Sequence, residues 1–298
     1  MLDYAALSAL AAVIREGSFE RAALALHVTP SAVSQRIRLL EERVGCALVV
    51  RAQPCRATST GRRLCQHVDR VRLLEQELQG ALPALAPEGI TRVALPVAVN
   101  ADSLATWFAP VIAAFAADAP VLVEVAVDDQ DHTSEWLRSG AVLAAVTGSA
   151  RPATGCNSRP LGAMRYLAAA SPAFVARHFA DGVGAGSLAQ APSLVFNTKD
   201  ELQSRWVRRL CHRDVDLPRH TLPSPQAFVT AAVAGMGWGL QPQALIRSQL
   251  ADGSLVELVP GTPLDVPLYW QTARAASALL DGLSRKIVAA AGNALLTP

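Results

Sequence analysis

In this 298-residue chain, the regular spacing of apolar residues over the first 45 positions limits the possible folds more than any other pattern in the sequence. Apolar side chains at intervals of three and four predict a helix over residues 4–15, and a second short helix over 19–26. Thr29 is a good N-cap, Pro30 is a favoured first helical residue, and Gly45 predicts where this third helix ends. The sequence therefore predicts two short helices, a tight turn and a longer third helix.

The third helix has two chemically different faces. One face is apolar and consists of Val33, Ile37, Leu40 and Val44. The other carries hydrogen-bonding side chains at Ser31, Ser34, Gln35 and Arg38. This arrangement is typical of the helix-turn-helix, whose second helix enters the major groove of DNA. An ordinary helical hairpin with a solvated polar face is the competing interpretation.

Positive charge is concentrated in the same region. Residues 28–63 contain seven arginines and two acids, which gives this segment +5 and leaves −3 for the rest of the chain. A local basic excess is the pattern expected of a nucleic-acid-binding surface. Short β-rich runs at 48–51 and 56–58 predict two strands that form a wing next to the helices.

A long helix is expected to follow, from about Thr58 to Leu82. Its apolar residues recur at spacings of three and four, at Leu64, Val68, Val71, Leu74, Leu78 and Leu82. A single apolar seam on a charged helix favours pairing with a second copy of the helix, although packing against the next domain would also explain it.

Beyond residue 90, short β-branched runs alternate with helical stretches, which predicts a parallel sheet flanked by helices. The pattern repeats after Tyr166, so we expect two α/β lobes with a ligand cleft between them. The predicted domains are a winged helix-turn-helix (1–58), a linker helix (59–86) and a two-lobed domain (87–298). Its first lobe comprises about 90–165 and 267–298, and its second about 166–266.

Several functional classes lack a signal in the sequence. The five cysteines are scattered without a CxxC spacing, and no nucleophile elbow, P-loop or metal-ligand spacing is present. No apolar run resembles a membrane span or signal peptide. We therefore expect a soluble cytoplasmic protein without catalysis, cofactor, metal or membrane partner.

The segment SFERAALALHVTPSAVSQRIRLLEERVG, the wing and the TxxG at 58–61 resemble the winged helix-turn-helix of LysR-type transcriptional regulators. The two-lobed remainder resembles their effector domain, which has a periplasmic-binding-protein-like α/β fold. More narrowly, VNADSLATW, PLGAMRYLAAASPAF and SPQAFVTAAVAGMGWGLQP are similar to the subfamily that controls export of arginine and lysine, the ArgP/LysG type. The order TPSAVSQR differs from the commoner family order TQPAVSRQ.

The resemblance implies a homotetramer, built as a dimer of dimers through the linker helices, that binds double-stranded promoter DNA and responds to a small coinducer. The resemblance also implies RNA polymerase as a further partner. Gln and Arg can contact base edges bidentately, so we expect base readout from Ser34, Gln35 and Arg38. We expect phosphate contacts from Thr29, Ser31, Arg36, Arg51 and Arg56.

The expected effector site combines an anion-binding turn with acidic side chains. A turn between a strand and a helix offers free backbone N–H groups to an α-carboxylate, and this turn contains Asn100, Asp102 and Ser103. Carboxylates would balance the cationic groups of a basic amino acid, and the candidates are Asp128, Asp129, Asp131, Asp200 and Glu201. These acids also suit solvated loops and helix caps. Gln226 stands where some relatives carry an acid, which leaves the choice among lysine, arginine and another cation open.

Three alternatives to this regulator remain at the sequence level. One is a solute-binding module or enzyme that uses the cleft while the N-terminal helices only pack. The second is an architectural DNA-binding protein without an effector response, and the third is a LysR-type regulator of a different effector.

Overall fold

The computed structural model describes residues 2–82, 93–119, 121–128, 133–274 and 278–297. The chain divides into two compact units, Met1–Ala94 and Leu95–Pro298, which we describe separately. The predicted boundary at 86/87 lies outside the described residues.

The N-terminal unit contains the predicted helices and wing. Its elements are α1 (Tyr4–Glu16), α2 (Phe19–Ala25), α3 (Pro30–Val44), β1 (Val49–Val50), β2 (Arg56–Ala57) and α4 (Ser59–Ala81). Strands β1 and β2 pair antiparallel. The side chains of Ser18 and Thr29 accept backbone N–H groups at the starts of α2 and α3, as the sequence predicts for N-caps. His27 has φ 54° in the turn between them.

The core of this unit lies between α1, α2, α3 and the start of α4. Its fully buried members include Leu7, Leu10, Val33, Ile37 and Leu48. Val44 differs from the expectation of a four-residue apolar stripe, because it is 40% exposed. It belongs to the last turn of α3, which extends beyond the core to the left-handed cap at Gly45.

The TxxG segment joins the wing to α4. The Thr58 hydroxyl donates to the carbonyl of Ala47 (2.9 Å) and accepts the backbone N–H of Gly61 (3.1 Å). A β-carbon on Gly61 would collide with the backbone carbonyl of Leu48. The threonine therefore caps α4, and glycine allows α4 to approach the wing closely.

Helix α4 changes character along its length. Its first half packs against α1, and Val68 is 3% exposed. Leu74 and Leu78 in its second half and the C-cap residue Leu82 are about half exposed, at 53%, 52% and 49%. These three leucines recur every four residues and form a stripe on one side of the helix.

The C-terminal unit is a mixed α/β structure. Its strands are β3 (Val93–Asn100), β4 (Val121–Asp128), β5 (Ala144–Thr147), β6 (Cys156–Ala170), β7 (Ser193–Val195), β8 (Arg219–Thr221), β9 (Gly239–Pro242), β10 (Val256–Glu257) and β11 (Leu264–Ala273). Its helices are α5 (Ala101–Ser103), α6 (Ala109–Asp118), α7 (Thr133–Arg138), α8 (Pro172–His178), α9 (Ala185–Leu188), α10 (Leu202–Cys211), α11 (Pro225–Val233), α12 (Gln243–Asp252) and α13 (Ala278–Ala294). A π-helical turn, Leu104–Phe108, joins α5 to α6.

The main sheet has the order β10-β6-β11-β5-β3-β4, and β9 also pairs with β6. The prediction of a parallel sheet is only partly right. Strands β3 and β5 are parallel, but β11 runs antiparallel to both β5 and β6, and β6 runs antiparallel to β9 and β10. The two long strands β6 and β11 cause the difference, because they run side by side in opposite directions between the two lobes. Strands β7 and β8 form a separate parallel pair in the second lobe.

Among the helices of the described residues, none combines the length and the hydrophobicity that a membrane-spanning segment requires.

Candidate functional site

The first candidate surface is the outer face of α3. The stripe formed by Val33, Ile37 and Leu40 is buried, which turns the opposite face outward. On that face Ser31, Gln35 and Arg38 are exposed and Ser34 is half-buried. The Thr29 hydroxyl accepts the N–H of Ala32 (3.2 Å) and lies 3.0 Å from the Ser31 hydroxyl. The N-terminal half of α3 thus presents short polar side chains on a rigid, capped helix.

The arginines near this face are held in different ways. Arg38 forms an exposed ion pair with Glu42 (Nε to Oε1, 2.9 Å), which lies one turn further along α3. The guanidinium of Arg51 lies over the Phe19 ring, 5.2 Å from its centroid. This cation–π contact fixes the direction of Arg51 at the end of β1 while leaving the side chain exposed.

The other two predicted phosphate contacts differ in exposure. Arg56, in β2, is exposed, whereas Arg36, in α3, is half-buried. Arg36 is therefore less accessible to DNA than the wing arginines.

The second candidate site is a pocket between the lobes of the C-terminal unit. The first lobe contributes the end of β3 with the start of α5, and the end of β4. The second contributes the loop after β7, the starts of α10 and α11, and β9. The lining residues are Ala101, Asp102, Asp128, Phe196, Asp200, Leu202, Pro225, Phe228, Leu240, Gln241 and Pro242. Three carboxylates that are far apart in sequence therefore meet at one pocket.

Two of these carboxylates are oriented by aromatic side chains. The Tyr166 hydroxyl on β6 donates to Oδ2 of Asp102 (2.7 Å), and the indole Nε1–H of Trp136 donates to Oδ2 of Asp128 (3.2 Å). Asp102 is predicted to lie in the turn between strand and helix, and the structure places it in the short helix α5 directly after β3, with Asn100 at the N-cap position. Asp102 is thus held in place by β6.

The third carboxylate, Asp200, is 5% exposed. Its two oxygens accept the backbone N–H groups of Phe196 (2.8 Å) and Leu202 (3.0 Å). Burial raises the pKa of Asp200 above its ordinary value, and these two hydrogen bonds, a third from the side chain of Gln203 and the charge of Arg219 oppose the shift. Asp200 therefore organises the loop between β7 and α10 at the pocket wall.

Buried polar groups without partners lie in and beside the pocket. Asn100 and Ser103 are 1% and 0% exposed, and their side-chain polar atoms have no hydrogen-bond partner among the described residues. The same holds for both amide atoms of Gln241, which is 1% exposed. Such groups are costly to leave unpaired, so they indicate a place where a ligand or water supplies the missing bonds.

The remaining predicted effector residues are not gathered at this pocket. Gln226 and Glu201 are exposed, and neither is among the described residues that line it. Asp129 and Asp131 lie outside the described residues. The sequence interpretation missed Gln241 and Tyr166, although a glutamine in the otherwise apolar strand GLQP is a signal that could have been noticed.

Within the described ranges, no group of three or more His, Cys, Asp or Glu side chains is arranged to hold a metal ion. The five cysteines are free thiols. Burial and the negative charge of Asp69 raise the pKa of the Cys65 thiol to about 11, which keeps it protonated at neutral pH.

Two family models match the chain, one at the N-terminal helices and one over the following α/β domain. Residues 4–62 match the family "Bacterial regulatory helix-turn-helix protein, lysR family", and residues 87–290 match "LysR substrate binding domain". The HTH-type transcriptional regulator ArgP of Pseudomonas aeruginosa is 47% identical over 296 residues, which cover 99% of this chain and 98% of that protein.

Solved structures agree over the full length. The crystal structure of ArgP from Mycobacterium tuberculosis has a TM-score of 0.85 and 45% identity, with 100% of both chains covered. Full-length LysG from Corynebacterium glutamicum with bound effector Arg has a TM-score of 0.72 and 37% identity, and covers 99% of this chain and 100% of its own. With its helix-turn-helix and its two-lobed α/β domain, this chain belongs to the LysR family of transcriptional regulators.

Proposed function

We propose that this regulator responds to a basic amino acid, arginine or lysine, and controls a gene for amino-acid export from its position on promoter DNA in the cytoplasm. The observation that carries the proposal is the meeting of Asp102, Asp128 and Asp200 at one pocket between the lobes. The arginine bound to the LysG of C. glutamicum, which is 37% identical, supports the same class of effector.

The charges of the pocket suit a ligand with two cationic groups. Asp102 and Asp128 come from the first lobe and Asp200 from the second, so a cationic ligand would contact carboxylates on both walls. Phe196, Leu202 and other apolar lining residues suit the aliphatic part of such a side chain. An amino acid with a neutral or acidic side chain brings one cationic group to a pocket lined by three carboxylates, whereas arginine or lysine brings two. The pocket should therefore select for a second positive charge.

For DNA recognition, we propose that Ser34, Gln35 and Arg38 contact base edges. Thr29, Ser31, Arg36, Arg51 and Arg56 would hold phosphates. The exposure of the polar face of α3 supports this division, and the stacking of Arg51 on Phe19 supports a fixed phosphate contact at the wing.

For assembly, we propose a homodimer through α4 and a homotetramer built from two such dimers. The exposed stripe of Leu74, Leu78 and Leu82 supports pairing of α4 with a second copy. Apolar residues that recur along one side of a helix commonly pack against a partner helix. Contact with RNA polymerase remains part of the proposal through the family resemblance alone.

Thermal unfolding of the full chain against a panel of amino acids tests the effector. A ligand that binds only the folded state adds about 2.7 kcal/mol of stability at a hundredfold excess over its dissociation constant. We expect the melting temperature to rise with arginine or lysine and to stay unchanged with glutamine, leucine and glutamate.

The variant Asp102→Asn with Asp128→Asn should abolish this rise, while Glu201→Gln, a change at an exposed acid outside the pocket, should leave it intact. A rise with neutral amino acids of equal size, or no rise with either basic one, would refute a basic amino-acid effector and leave a LysR-family regulator of another ligand.

A further inference from the structure

Among the described residues that line the pocket, Gln241 carries the one side-chain amide, and this amide is buried and unpaired. It lies on β9, whose backbone pairs with β6 so that Gln241 is opposite Leu167. The residue is 1% exposed, and neither Oε1 nor Nε2 has a hydrogen-bond partner among the described residues. An amide that is fixed by its strand and left unpaired on both atoms needs an external donor and an external acceptor.

The chemistry of the other lining side chains makes this amide distinctive. Ionised carboxylates only accept hydrogen bonds, and the remaining lining residues are alanine, leucine, phenylalanine and proline. Among the described lining residues, Gln241 is thus the one whose side chain carries N–H donors. Three aspartates would repel a ligand carboxylate that entered the pocket, and among the described residues that line it only Gln241 offers such a carboxylate a side-chain N–H, at Nε2.

A primary amide presents its donor and its acceptor side by side. The head of an α-amino acid presents the complementary pair, since its ammonium group donates and its neighbouring carboxylate accepts. An amine without the carboxylate could satisfy Oε1 but would leave Nε2 unpaired.

We infer that Gln241 is a specificity-determining residue that binds the α-amino-acid head of the effector. Its Nε2 donates to the ligand carboxylate and its Oε1 accepts from the ligand ammonium group. This inference rests on the proposed function, and it adds that the pocket rejects the decarboxylated amine of the same side chain. The aspartates recognise positive charge, and Gln241 distinguishes an amino acid from a diamine-like cation.

Calorimetric titration of the full-length protein with arginine and with agmatine, which is arginine without its carboxylate, tests the inference. The variants are Gln241→Leu and the isosteric Gln241→Glu. The control is Gln243→Leu, two residues further on, where the side chain is exposed and outside this pocket. Unliganded melting temperatures show whether each variant is folded.

We expect wild-type protein and the Gln243→Leu control to prefer arginine to agmatine. Gln241→Leu should weaken arginine binding roughly 5- to 150-fold, which corresponds to one unmade buried hydrogen-bonding group, with a smaller effect on agmatine. Gln241→Glu should weaken arginine binding further through repulsion of the ligand carboxylate and should retain agmatine binding. Since the amide is unpaired without ligand, Gln241→Leu should not lower the unliganded melting temperature.

Equal arginine affinity in wild-type and Gln241→Leu proteins would overturn the inference, and so would equal losses for arginine and agmatine in both Gln241 variants. If wild-type protein binds neither arginine nor lysine, the proposed effector class itself fails. The first two results leave that effector class intact, so the two failures are distinguishable.

Discussion

At the scale of single residues, Asp200 shows how one carboxylate can serve both a loop and a pocket. Both of its oxygens accept backbone N–H groups, one from Phe196 directly after β7 and one from Leu202 at the start of α10. Burial also raises the pKa of Asp200, because the ionised carboxylate is less stable inside the protein than in water. A cationic ligand in the pocket would stabilise the ionised form. The residue is therefore both structural and electrostatic.

Replacement of this carboxylate should separate the two contributions. We expect Asp200→Ala to lower the free energy of unfolding by about 1 to 3 kcal/mol, because the buried N–H of Leu202 and the partly buried N–H of Phe196 lose their acceptors. Asp200→Asn keeps one acceptor oxygen and should cost less. Urea unfolding monitored by tryptophan fluorescence measures both, and an Asp200→Ala protein as stable as the wild type would contradict the loop-organising role.

The pH dependence of the same residue has a definite sign. Its pKa in the folded protein is raised above the ordinary value of 3.8, so the folded state holds the proton more tightly than the unfolded state. The stabilising contribution of the protonated carboxyl is complete below pH 3.8 and is lost as the pH rises through the folded-state pKa. As the pH increases from 3.8 through the folded-state pKa of Asp200, the free energy of unfolding of the wild-type protein should therefore fall relative to that of Asp200→Asn. Urea titrations at a series of pH values measure this difference. An unchanged difference would show that the carboxyl titrates alike in both states.

The acidic residues of the pocket could be predicted from sequence only as candidates. Asp102, Asp128 and Asp200 each follow a predicted strand, and residues after strands tend to meet at one edge of a sheet. Gln226 and Gln241 show why the rest could not be predicted. Both are glutamines in the second lobe, and only the pairing of β9 with β6 places one in the pocket while the other lies exposed on α11. Such pairing depends on contacts between residues far apart in sequence.

At the level of secondary-structure elements, α3 has one face that packs in the core and an opposite polar face that we propose contacts DNA bases. If Ser34 and Gln35 contact bases, Ser34→Ala with Gln35→Ala should weaken binding to a sequence-selected duplex by about 1 to 3 kcal/mol and leave binding to random duplexes almost unchanged. Arg51→Ala should weaken binding to both about equally and reduce the salt dependence by about one phosphate contact. Fluorescence anisotropy at several salt concentrations measures these effects. If the Ser34→Ala and Gln35→Ala double variant lost equal affinity for both duplexes, Ser34 and Gln35 would not be base-contacting residues.

The second half of α4 has a stripe of leucines exposed to solvent. We expect Leu74→Glu with Leu78→Glu to convert the assembly to smaller species, because like charges would replace apolar contacts in a paired seam. Leu24→Glu on α2, where the leucine is 75% exposed, is the matched control and should leave the assembly intact. Sedimentation velocity distinguishes the species. An unchanged sedimentation coefficient in the double variant would place the interface elsewhere.

The elements themselves were largely predictable, because the signals for them are local. Thr29, Pro30 and Gly45 determine both ends of α3 by capping chemistry within a few residues. The direction of β11 was not predictable in this way. Its partners β5 and β6 are more than 90 residues earlier in the chain, and the alternation of strands and helices before it gave no sign of an antiparallel neighbour.

At the scale of the whole molecule, the two functions belong to separate compact units. The candidate DNA-recognition helix α3 lies in Met1–Ala94, and the acidic pocket lies in Leu95–Pro298. A regulator needs these units to be coupled energetically, and such coupling is reciprocal. If an effector changes DNA affinity by some factor, DNA must change effector affinity by the same factor.

This reciprocity separates an effector-responsive regulator from an architectural DNA-binding protein. For the regulator, saturating arginine should change the affinity for a sequence-selected duplex, by roughly 5- to 150-fold for coupling of the usual strength. The duplex should then change arginine affinity by the same factor when it is measured by calorimetry. Asp102→Asn with Asp128→Asn should remove both effects while leaving DNA binding without arginine unchanged, because these carboxylates lie in the unit that does not contain α3. An architectural protein would instead bind DNA with a steep salt dependence, little sequence preference and no response to arginine.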